Sequence, residues 1–115
     1  MNVELHKIID ELEKLGLKRG WTDAEIVKYS YGDCQTSFIY INKKKNYCTI
    51  FHQLKISNSG SGEYYTEEAT RYNLLSYMEN PISLDDILSE MKMLITQYKK
   101  LKVKFKKQQI EKDFE

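Results

Sequence analysis

The stretch SLDDILSEMKMLITQYKKLKVKFKKQQIEK, residues 83–112, decides the fold. Read as one helix, it places Leu84, Ile87, Met91, Leu94, Tyr98, Leu101 and Phe105 three and four residues apart, an unbroken heptad seam. Leu88 and Ile95 widen the seam in the first half into the stripe of a helix packed on a core. In the second half the same register holds Lys102 and Gln109, and Lys99, Lys100, Lys102, Lys104, Lys106 and Lys107 surround it with no acid among them. Ser83 followed by Asp86 forms a start signal, and acids at the beginning with lysines near the end both suit the helix dipole. Such a helix is about 45 Å long at roughly 1.5 Å per residue. A chain of this size folds to a radius of gyration of about 13 Å. The end of the helix is therefore expected to project or to pack on a second copy, with Leu94, Tyr98, Leu101 and Phe105 as the self-association seam of a homodimer.

Working outward, Leu5, Ile8, Ile9, Leu12 and Leu15 mark an amphipathic first helix that Asn2 can cap. Gly16 supplies its left-handed stop and Leu17 the hydrophobic contact after it. Residues 18–21 read as a turn. From 22 the pattern is ambiguous, because Thr22 and Glu25 resemble a capping box while Val27, Tyr29 and Tyr31 alternate as in a strand; the strand reading, 25–31, is preferred. Segments 36–41 and 47–56 are rich in β-branched and aromatic residues and flank Asn42-Lys43-Lys44-Lys45-Asn46, which predicts a hairpin. Centred on Lys44, it sets Cys48 opposite Tyr40 and Cys34 opposite Leu54. Cys48, Ile50, His52, Leu54 and Ile56 would face the helices. His52 is then the polar member of a buried row, expected to be hydrogen-bonded to a neighbour. Residues 58–62, Asn-Ser-Gly-Ser-Gly, have loop composition. After them Thr66-Glu67-Glu68, with Ala69, Tyr72 and Leu75, predicts a short helix ended by Asn80-Pro81.

The expectation is one α+β domain over 1–115: an amphipathic helix, a three-stranded antiparallel sheet, a short helix and the long basic helix. The element order resembles α-β-β-β-α double-stranded-RNA-binding modules and related small toxins in topology, with no family motif carried over. With 115 residues, 41% of them hydrophobic, the chain supports one modest core. No stretch reaches membrane-spanning length, and the interrupted opening lacks the apolar run of a leader, so a cytoplasmic protein is expected. Two cysteines without metal spacing or CxxC read as free thiols in a reducing compartment.

The net charge of +1 hides the placement of six of the eighteen basic residues within nine positions. No Walker, GxGxxG, HExxH, GxSxG or EF-hand pattern occurs, so no catalytic, metal or cofactor residues are expected. The lysines of the final helix, with Lys43, Lys44 and Lys45 at the hairpin tip, are the candidate binding residues. They would lie along phosphates or an acidic protein surface, or simply be a solvated face. Two arginines against sixteen lysines argue against base-edge reading. Nine tyrosines exceed what one small core can absorb and suit interface contacts. These features predict a small non-catalytic binding protein that occupies a macromolecular surface. A phage or mobile-element inhibitor of the anti-defence, anti-CRISPR-like kind, directed at a host nuclease or a nucleic-acid-bound complex, would look like this. The alternative is a sequence-independent nucleic-acid-binding regulator.

Overall fold

A computed structural model describes residues 4–57 and 63–113, except for the side chains of Trp21, Phe105 and 107–113. The class is α+β: helix α1 (Leu5–Lys14), strands β1 (Lys18–Thr22), β2 (Ile26–Ser30), β3 (Ile39–Asn42), β4 (Tyr47–Ile56) and β5 (Tyr64–Asn73), and helix α2 (Leu84–Asp113). The strands form one antiparallel sheet in the order β1-β2-β3-β4-β5, so each element lies beside its neighbour in sequence.

α1 buries Ile8 and Leu12 and ends as its sequence predicts. Gly16 takes φ +96°, its N–H donates to Glu13 and that of Leu17 to Leu12, and Leu17 is buried beyond the turn. Asn2, the expected cap, lies outside the described residues, as does the loop 58–62. α2 also starts as expected, the Asp86 N–H donating to Ser83 Oγ at 3.1 Å. Its Ile87, Met91, Leu94, Ile95 and Tyr98 are buried against the sheet. No helix among the described residues is long and apolar enough to cross a membrane.

The expected three strands are five, and both additions have a local cause. Residues 18–21, read as a turn, belong to an edge strand that runs on to Thr22 and whose register on β2 shifts between Arg19 and Thr22. What closes that hairpin is Asp23: its Oδ1 accepts from the Glu25 and Ile26 N–H groups at 2.8 and 2.6 Å, and its own N–H donates to Ile26. The hydroxyl of Thr22 donates to the Ile26 carbonyl rather than capping a helix. The second addition replaces the short helix expected from Thr66. Residues 64–73 pair with β4 along their whole length, from Ile56–Tyr64 to Tyr47–Asn73. Ten residues of β4 had an edge to fill, and tertiary pairing overrode the cap-like acids. Thr66 instead shares a hydrogen bond with Thr36 at 2.9 Å. Five strands also part this order from the α-β-β-β-α arrangement it resembles.

The β3–β4 hairpin is where the sequence places it, with one correction of register. Cys48 faces Ile41 and Tyr40 faces Thr49. Asn42 Oδ1 accepts from the N–H groups of Lys44 and Lys45, and Asn46 takes φ +58°, so the turn spans the four residues 43–46 rather than centring on Lys44. Cys34 lies in the connection before β3. Both thiols are free and buried, and burial pushes each up to about 12. At that height the reactive thiolate is scarce.

The radius of gyration is 15.9 Å and the principal extents are 58 × 25 × 24 Å. The long axis reflects α2. Among the described side chains the last one packed on the core is Leu101, and the helix backbone runs about 18 Å farther at roughly 1.5 Å per residue.

Candidate functional site

The lysines of α2 divide by what they touch. At 100° per residue, Lys99, Lys100 and Lys106 lie on the side of the helix opposite Leu94, Tyr98 and Leu101. They and Lys104 are exposed. Thr96, Lys99, Lys100 and Val103 line a shallow depression there, with Val103 60% exposed. Lys102 is different. Its Nζ donates to Tyr98 Oη at 3.1 Å, and Tyr98 Oη in turn donates to Asp33 Oδ1 at 2.5 Å. The hydrogen bond to Tyr98 raises the Lys102 ammonium, while the Tyr98 hydroxyl holds the Asp33 carboxyl below its usual range. This chain ties α2 to the β2–β3 connection and commits one lysine to structure. The side chain of Lys107 lies outside the described residues.

The expected self-association seam is largely covered by the chain itself. Leu94 and Tyr98 are buried, and Leu101 is half-buried against the same core. The Phe105 side chain lies outside the described residues.

Lys43, Lys44 and Lys45 do not converge with the α2 cluster. They sit beside the start of β4, whereas Tyr98 meets Tyr64, the Cα partner of Ile56 at the far end of that strand. Lys43 Nζ also donates to the Asp23 carbonyl at 2.9 Å, so it braces the neighbouring turn.

His52 is bonded on both sides. Its Nε2 lies 2.8 Å from Thr70 Oγ1 and its Nδ1 3.2 Å from Glu90 Oε2. Hydroxyl, imidazole and carboxylate stand in the order that activates a nucleophile in acyl-transfer enzymes. That chemistry also needs N–H donors to hold an oxyanion. The Leu54 N–H beside it already donates to Gln97 Oε1 at 2.9 Å, while Gln97 Nε2 donates to the His52 carbonyl. The cluster acts as a tie from β5 through β4 to α2. No group of three or more His, Cys, Asp or Glu among the described residues could hold a metal.

Sequence reasoning turned Tyr47, Thr49, Phe51, Gln53 and Lys55 away from the helices but named no site on the outward face of the sheet. The helices cover the face bearing Val27, Tyr29, Ile39, Ile41, Cys48, Ile50 and Leu54, all buried. The opposite positions run in cross-strand rows, Lys28–Tyr40–Thr49–Arg71 and Ile26–Asn42–Tyr47–Asn73, with Phe51–Ala69 beyond. Of these only Asn42 is buried. Lys28 Nζ sits 4.8 Å from the Tyr40 ring centre and the Arg71 guanidinium 4.2 Å from that of Tyr47. Phe51 meets Tyr40 edge-on at 5.3 Å. The signal was present in the alternation of β4, but Arg71 joined the face only once residues 64–73 paired as a strand. No family model, curated protein or solved structure matches the chain.

Proposed function

We propose that this is a non-catalytic binding protein that occupies a macromolecular surface, and that the surface is the phosphate backbone of nucleic acid. One observation carries the reading: Lys99, Lys100, Lys104 and Lys106 are exposed on a projecting helix with no acid between them. Binding of this kind is electrostatic and independent of sequence. If all four lysines meet duplex phosphates, the logarithm of affinity falls with log salt at a slope of about −3.6, at −0.9 per phosphate. Changing Lys99, Lys100, Lys104 and Lys106 to glutamine keeps helix propensity and leaves Lys102 on Tyr98. Duplex titrations from low to physiological salt should then lose most of that slope and most of the affinity. Unchanged binding by the variant would return these lysines to a solvated face.

A second reading, an inhibitor of phage or mobile-element origin that covers a host protein, draws on the exposed Tyr77 and Met78 in the β5–α2 connection. Lysines facing an acidic protein would act chiefly on the association rate, and their removal would leave dissociation nearly unchanged.

A further inference from the structure

We infer that the outward face of the sheet is a stacking platform for single-stranded nucleic acid, an inference that rests on the nucleic-acid reading above. Tyr40, Tyr47 and Phe51 lie on two adjacent strands, each half-buried, and Tyr65 on β5 is 41% exposed. A half-buried ring on an uncovered sheet offers a π-face at little entropic cost, since the strand already fixes its position. Bases stack on such rings whatever their identity.

The cations complete the argument. Lys28 and Arg71 lie over the Tyr40 and Tyr47 rings, so a base that stacks there takes the place of a weakly held cation and leaves its positive charge beside the base's own phosphate. Along the outward strand positions, Lys18, Lys28, Lys55 and Arg71 stand against the single carboxylate of Glu67, which is 3.0 Å from Lys55. At the rim Glu25 is bonded to Asn42, and the Asp23 carboxylate there lies within electrostatic reach of Lys28 and of Lys43, which adds a further positive charge. The face is thus net positive and aromatic, and a ligand that fits it carries flat rings joined by negative charges. A duplex cannot use it, because its π-faces are already stacked on one another, whereas an unpaired strand can.

The platform and the α2 lysines are separable because one reads π-faces and the other phosphates. The test compares an oligothymidine strand with a blunt duplex of equal length, by fluorescence anisotropy at fixed salt. Wild type should prefer the single strand, and its tyrosine fluorescence should be quenched on binding. Tyr40→Leu with Phe51→Leu keeps apolar bulk while removing the π-faces, and should weaken single-strand binding about tenfold or more with duplex binding unchanged. Arg71→Gln, which leaves every ring in place, should weaken single-strand binding alone. Circular dichroism and thermal melting establish that each variant folds. Equal affinity for strand and duplex, unaltered in the folded ring variant, overturns the platform and leaves the lysine reading standing. Binding to neither nucleic acid overturns both, and loss of a self-associated or protein-bound species in the ring variant assigns the face to a protein instead.

Discussion

β4 is one run of ten residues with two fates. Cys48, Ile50 and Leu54 are buried under α2, while Thr49, Phe51 and Gln53 between them are half-buried and Lys55 is exposed. Strand alternation alone separates the two sets, yet different forces hold them. Inward residues are fixed by volume, because a missing methyl group leaves a cavity in a close-packed interior. Outward residues are fixed by pairs, rings against rings or against cations, each contributing a fraction of a kcal/mol to about 1. A residue held by volume cannot be spared for a ligand, whereas one held by a weak pair can exchange its partner.

The sharpest way to break that comparison is to shorten neighbours on the two faces. Ile50→Ala should cost about 2–5 kcal/mol in stability, the range for fully buried aliphatic truncation. Thr49→Ala, one residue away and facing outward, should cost under about 1 kcal/mol. Urea unfolding of both variants checks it. Equal losses would mean that something covers the outward face.

A somewhat smaller effect probes how the buried layer closes at its far end. Gly32 sits at φ +60°, and a Cβ there would run into the phenol of Tyr98. Gly32→Ala should cost about 1–3 kcal/mol, from the left-handed backbone and the collision together. Tyr98→Phe removes the Oη that lies nearest, so the double variant should lose less than the two single losses added. Strict additivity would show that the hydroxyl takes no part in the collision, leaving the ring carbons behind it and the backbone to set the cost.

What the sequence made legible follows the same division. Elements whose signal is local were readable: the seam of α2, the Gly16-Leu17 stop of α1, the β-branched runs of β3 and β4. β5 was not, because Thr66-Glu67-Glu68 imitates a helix start and because Glu68, at φ +58°, interrupts the alternation of Tyr64, Thr66, Thr70 and Tyr72. Its state is settled by the open edge of β4, a partner that lies outside the window in which period is read. β1 failed similarly, its pairing being set by one Asp23 side chain in the turn. The candidate site inherits both misses. The exposed α2 lysines could be named from sequence, but the aromatic face could not be assembled until β5 supplied Arg71, and Lys102 looked like its neighbours until Tyr98 and Asp33 claimed it.

The smallest expected effect concerns that claim. The Tyr98 hydroxyl, aided by the charge of Lys102, holds the Asp33 carboxyl below its usual range. A depressed folded value means that the ionised group stabilises the fold. The contribution is complete above the unfolded value, about pH 3.9, and is lost as pH falls through the lower folded value. Asp33 is largely exposed, so the contribution should stay under about 1 kcal/mol. Asp33→Asn keeps a carbonyl for Tyr98 but cannot titrate, so its stability should decline less steeply than wild type between about pH 5 and 2. Some decline must remain, since the Asp23 carboxyl is also held low, by the N–H groups of Ile26 and Glu25, and loses those bonds' charge assistance on the same limb. Urea midpoints across that range distinguish the two carboxylates: Asp23→Asn should flatten the curve while loosening only the exposed β1–β2 turn, and Asp33→Asn should flatten it while loosening the anchor of α2. If the Asp33 variant follows the wild-type curve at every pH, the Asp33–Tyr98–Lys102 chain does not anchor the helix, and Lys102 rejoins the lysines free to meet a ligand.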